Sequence, residues 1–156
     1  DESDGSEGGD GKRAGDASGT DGNALAHKHV LVAEDNALNA EVITAILNIH
    51  DATCEVAANG EEAVAKFGMS APDTFDMIFM DVQMPVLDGR AATRALRALD
   101  RSDATEIPIF ALSADAFIED ERLSMESGMN GHYSKPIDFI ALRRNVGAYL
   151  RRKETR

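Results

Sequence analysis

The chain has 156 residues, 43% of them hydrophobic but only 5% aromatic, and a net charge of −12. That length fits one domain with an aliphatic core, and the negative charge argues against direct binding to nucleic acid or an anionic membrane surface. The single cysteine, Cys54, excludes an internal disulfide and fits a reducing, cytoplasmic setting. No apolar run approaches the ~20 residues of a membrane helix. The chain begins at Asp1 without a methionine, as expected of a segment of a longer protein.

Residues 1–28 are mostly Gly, Ser, Asp and Glu, with seven acids against three bases. Such a stretch buries too little apolar surface to offset its ordering entropy, so it is expected to be a disordered linker or tail. From His29 the pattern changes. "HVLVAED" reads as a strand ending in acids, and "NALNAEVITAILNIH" has helical spacing. "ATCEVAA" alternates like a strand, and "NGEEAVAKF" is a helix capped by Asn59. "FDMIFMD" is a strand, and Asp88 is placed to cap the helix "GRAATRALRAL". "IPIFALSA" and "GHYSK" are strands around the helix "DAFIEDERLSMESG". The last helix opens near Pro136 and ends in a basic cluster that suits a helix C-terminus. Five strands alternating with five helices imply βαβ units and a doubly wound parallel sheet, with ligands at the carboxyl ends of the strands.

That placement turns the sequence into a site. The first strand ends in Glu34 and Asp35, the third in Asp81, the fourth in Ser113 and the fifth in Lys135. Three carboxylates brought to one sheet edge repel unless a cation offsets them. An all-oxygen donor set with room for water suits magnesium, Mg²⁺. An aspartate there can act as a nucleophile toward phosphorus, with the metal and Lys135 offsetting charge on the transferring group and Ser113 donating to it. Each residue alone has a plainer reading: Asp35 as a helix cap, Asp81 as a loop acid, Ser113 as a turn residue, Lys135 as a solvated charge. Their joint placement at four strand ends is the specific signal.

"VLVAEDNALNAEV", "DMIFMDVQMPVLDG", "IPIFALSA" and "GMNGHYSKPID" closely resemble the receiver domain of two-component response regulators. The likeness covers about residues 29–150, and the wording is most similar to receivers attached to hybrid histidine kinases. The resemblance implies a flavodoxin-like (βα)5 fold of strand order 2-1-3-4-5, in a domain spanning 29–152 with a tail at 153–156. It implies Asp81 as phosphoacceptor for a phosphohistidine donor, a kinase or a histidine phosphotransfer domain. Asp35 and Glu34 would hold Mg²⁺ with Asp81 and the Gln83 carbonyl, with Ser113 as switch hydroxyl and Lys135 contacting the phosphoryl group. A cis Lys135–Pro136 bond is also implied. His132 stands where the family commonly has a switch Tyr or Phe, so either the histidine takes over that job or it is a plain edge-strand residue.

On a helical wheel of the first helix, Leu38, Val42, Ala45, Ile46 and Ile49 share one face, expected to be core. Ala37, Ala40, Ile43 and Leu47 share the other, expected to dock the donor. Three other classes compete. A haloacid-dehalogenase-type phosphatase would want a second Asp at position 83, where Gln83 stands. A degenerate or stand-alone receiver would only bind partners. A flavin-binding doubly wound domain would want a phosphate loop after the first strand.

Overall fold

A computed structural model describes residues 25–114, 118–135 and 138–154. What the sequence leads one to expect of residues 1–24 and of the Lys135–Pro136 bond falls outside the described residues. The chain divides into two units. His27–Ile137 holds the sheet, with strands β1 (His29–Ala33), β2 (Thr53–Ala57), β3 (Met77–Asp81), β4 (Ile109–Ser113) and β5 (Gly131–Ser134). It also holds helices α1 (Ala37–Ile49), α2 (Gly60–Met69), α3 (Gly89–Arg97), α4 (Ser102–Glu106) and α5 (Ile118–Glu126). In the other unit the described residues carry α6 (Phe139–Glu154), whose first turn is capped by Asp138: its carboxylate accepts from the amides of Ile140 and Ala141, each at 3.1 Å.

All strand pairs are parallel, in the order β2-β1-β3-β4-β5. The sequence dictates much of this. β3 and β4 are buried throughout and β1 from Val30 onward, as apolar strands between two helix layers must be. β2 is an edge, and there Thr53, Glu55 and Val56 are exposed. The core joins Leu31, Ile78, Met80, Ile109 and Ala111 to Phe67 and Leu96 of the flanking helices.

Helix starts follow local chemistry. The Asn36, Asn59 and Asp88 side chains accept hydrogen bonds from the amides of Asn39, Glu62 and Ala91, at 3.0, 2.8 and 2.8 Å. Each satisfies an amide that the first helical turn leaves without a carbonyl. α4 is the element that sequence periodicity does not reveal. It has five residues, and its N-cap Arg101 makes no side-chain cap bond. Tertiary contacts hold it: Arg101 is bidentate to Asp103, at 2.6 and 2.9 Å, and donates to the carbonyls of Phe67 and Ser70. That partner holds the Asp103 carboxyl below its usual range, against burial that pushes it up.

Gly89 fixes where α3 meets the end of β3. A Cβ built there would lie 2.2 Å from the backbone oxygen of Asp81 and 2.9 Å from Met80 Cγ. Gly89→Ala is therefore expected to cost about 2–3 kcal/mol through forced backbone displacement, read as a lower midpoint in urea unfolding at unchanged slope.

Candidate functional site

Parallel register carries the charged residues to one edge. Glu34 follows β1 directly, Asp81 closes β3, Ser113 closes β4 and Lys135 follows β5. Glu34, Asp81 and Ser113 are buried, while Asp35 is exposed. Carboxylate oxygens of Glu34, Asp35 and Asp81 lie within 4.8 Å of one another. The Lys135 ammonium sits between two of them, donating to Glu34 Oε1 at 2.9 Å and to Asp81 Oδ2 at 3.1 Å. Backbone amides hold the other oxygens: Asn36 N donates to Glu34 Oε2 and Gln83 N to Asp81 Oδ1, each at 3.2 Å. Because Asn36 caps α1, Asp35 is not spent as a cap.

A cleft of about 550 Å³ opens beside these groups, lined by Asp35, Gln83, Pro85, Arg90, Arg94 and Ser113. The loop that shapes it is tight. Val86 has φ +71°, and Leu87 N donates to Pro85 O at 2.7 Å. A β-branched residue in that region is a genuine outlier, of the kind that collects at functional sites.

The electrostatics follow from the packing. Burial, then the hydrogen bond and charge of Glu34, push Asp81 up to about 6, and Lys135 only partly offsets them. Burial works against the charge of Lys135, but Glu34 and Asp81 outweigh it and hold its pKa above the usual value. Three carboxylates thus face one ammonium, with an open cleft alongside. An oxygen-only donor set of this closeness, with space for bound water, fits a hydrated divalent cation such as Mg²⁺.

The structure brings together Glu34, Asp35, Asp81 and Lys135, and puts Gln83 and Ser113 on the same cleft as Asp35. His132 lies in β5, where its Nδ1 is 3.2 Å from Ser124 Oγ of α5. The docking face expected on α1 is corrected. Ala40, Ile43 and Leu47 are buried, at 7, 5 and 0% exposure, and Ala37 alone of that set is exposed. The exposed stripe is Leu38, Val42, Ala45 and Ile49, the face expected to be core. Two apolar stripes on one helix leave its rotation undetermined by pattern alone. Sequence reasoning also missed Arg90 and Arg94. Their signal was there: both follow Asp88-Gly89 at a spacing of four, which puts them on one helix face.

Comparison with known proteins agrees with this geometry. Residues 30–147 match the response regulator receiver domain family. The osmosensing histidine protein kinase SLN1 of Saccharomyces cerevisiae is 43% identical over 111 residues, which cover 69% of this chain and 9% of that protein. The receiver domain of sensor histidine kinase PA1611 from Pseudomonas aeruginosa, solved with magnesium coordinated in its active-site cleft, is 35% identical. It has a TM-score of 0.68 and covers 76% of this chain and 93% of that one. The receiver domain of Ssk1, solved with the histidine phosphotransfer protein Ypd1 of Saccharomyces cerevisiae, is represented by a structure 30% identical to this chain. Its TM-score is 0.65, covering 75% of this chain and 84% of that one. The chain spans 5 to 9% of the length of the curated histidine kinases it matches first.

The raised Asp81 pKa has a stability consequence. Between its ordinary value of 3.8 and about 6 the folded chain binds more protons than the unfolded one. Asp81 therefore lowers stability as pH rises through that window. Without divalent metal, Asp81→Asn should raise stability at pH 7 by on the order of 2 kcal/mol, with the gain shrinking as pH falls toward 4. Denaturant titrations at both pH values check this.

Proposed function

Because the chain belongs to the response regulator receiver domain family, we propose that it accepts a phosphoryl group from a partner's phosphohistidine onto Asp81, as the receiver of a hybrid histidine kinase. An Asp81 oxygen attacks phosphorus, the P–N bond breaks, and the imidazole leaves with the bonding electrons and takes up a proton. The observation that carries this reading is the contact of Lys135 with both Asp81 and Glu34 at the edge where the acids converge.

Each residue has a task. Gln83 N orients Asp81 Oδ1, which leaves the carboxylate directed by its own backbone. Glu34, Asp35, Asp81 and the Gln83 carbonyl would hold Mg²⁺, which offsets carboxylate repulsion and charge on the transferring group. Lys135 stays cationic and neutralises phosphoryl oxygens. Ser113 donates a hydrogen bond to one of them. The aspartyl phosphate then biases β4, α5 and β5 between two arrangements. The domain spans 29–152, with 1–28 as a linker and 153–156 as a tail, in a cytoplasmic setting with no nucleic acid or direct membrane contact. No described helix is long and apolar enough to cross a membrane.

The donor docks on the exposed α1 stripe of Leu38, Val42, Ala45 and Ile49, beside the acidic edge. A donor that presents an apolar helix face would bury that stripe.

Acetyl phosphate with Mg²⁺ should label the chain with one acid-labile, hydroxylamine-sensitive phosphate, and Asp81→Asn or removal of Mg²⁺ should abolish it. Persistent labelling of Asp81→Asn would sink the assignment. Val42→Asp should slow transfer from a phosphohistidine protein donor at least about tenfold, a loss of about 1.4 kcal/mol, and leave acetyl phosphate labelling unchanged. Equal losses from both donors would remove the docking face.

A further inference from the structure

Ser124 is a polar residue with no exposure at all, on the face of α5 that meets both α3 and β5. Two side chains converge on its hydroxyl. Arg90 Nε of α3 donates to Ser124 Oγ at 3.3 Å, and His132 Nδ1 of β5 lies 3.2 Å from the same oxygen. Arg90 also donates to the carbonyl of Asp120 at 2.8 Å and lies 3.7 Å from that residue's carboxylate. Arginine can only donate, so Ser124 accepts from it. Ser124 Oγ keeps one proton and a second lone pair, so it can also pair with His132 Nδ1 in either tautomer of the imidazole. The chain of contacts runs Arg90 to Ser124 to His132.

Both ends of this chain are anchored to the phosphoacceptor site. Arg90 follows Gly89, which packs on the Asp81 backbone oxygen. His132 pairs with Ala111, two residues before Ser113, so it stands on the Ser113 face of the sheet, one step behind it. Lys135 N donates to Ser113 O at 2.7 Å, so β5 moves with the end of β4. Both bonds to Ser124 are long for their type, and water cannot reach the buried hydroxyl to replace them.

We propose that Arg90, Ser124 and His132 form a latch that holds α5 in the resting arrangement, and that drawing Ser113 toward a phosphoryl group on Asp81 breaks it. In this chain His132 is a positioning residue that reports the event by releasing a hydrogen bond. Its contact with Ser124, which Arg90 also holds, gives it that task. The inference rests on the phosphoacceptor reading of Asp81.

The test is the affinity of the whole chain for beryllofluoride, a phosphoryl mimic, at saturating Mg²⁺, measured by calorimetry. A latch that favours the resting state weakens ligand binding to the other state, and removing it restores that affinity. Ser124→Ala and His132→Leu should each bind beryllofluoride about fivefold or more tightly than wild type. The double variant should gain no more than either alone, because both break one latch. A purely structural role would lower the unfolding temperature and leave the affinity unchanged, and that result overturns the latch. Independent, additive gains overturn it too. His132→Leu keeps the question answerable if Ser124→Ala fails to fold. Failure of wild type to bind beryllofluoride at all would instead overturn the phosphoacceptor reading beneath it.

Discussion

Three carboxylates gathered at one edge of a parallel sheet, two of them bridged by one ammonium, are the constraint on which the rest of this structure depends. Burial first, and then the neighbouring Glu34, are unfavourable to the charged form of Asp81, and its upward shift to about 6 registers that cost. The fold holds the carboxylates together regardless. β1, β3 and β4 are buried nearly throughout, so none can slip by a residue without turning core side chains outward. The register that fills the core is the register that crowds the acids. The crowded acids have Lys135 as their sole direct counter-charge among the described contacts.

Rigidity on one side of the site contrasts with adjustable bonds on the other. Asp81 closes a fully buried strand and has Gly89 packed on its backbone. Arg97 ties the far end of α3 to the carbonyls of Gly128 and Ile107 and to Asn130, at 2.7 to 3.0 Å. Arg90 holds α5 by a 2.8 Å bond to the Asp120 carbonyl, and the contacts on Ser124 are longer.

Much of this was legible in the sequence because local rules produced it. Apolar runs marked the buried strands, Asn59 and Asp88 marked helix starts, and the residues ending each strand named the site. What stayed hidden depended on contacts distant in sequence. The rotation of α1 is decided by packing, so Ile43 and Leu47 went inward and Val42 and Ile49 outward, although both stripes are apolar. α4 lacks periodicity because five residues make little more than one turn, and Arg101 holds it through carbonyls more than 30 positions away. His132 stood out only as a departure from a pattern. Its partner Ser124 could not be read from spacing, since the two lie on different elements joined by a turn at Gly128 with φ +111°.

Everything proposed for this site rests on Asp81 as the acceptor of the phosphoryl group from phosphohistidine. The most direct measurement is borohydride reduction of the chain after transfer from a phosphorylated histidine phosphotransfer protein, followed by peptide sequencing. Reduction converts an aspartyl phosphate to homoserine, so the account predicts homoserine at position 81 and intact aspartate at position 35. Homoserine at position 35, or none at position 81 after phosphate has been transferred, would contradict it.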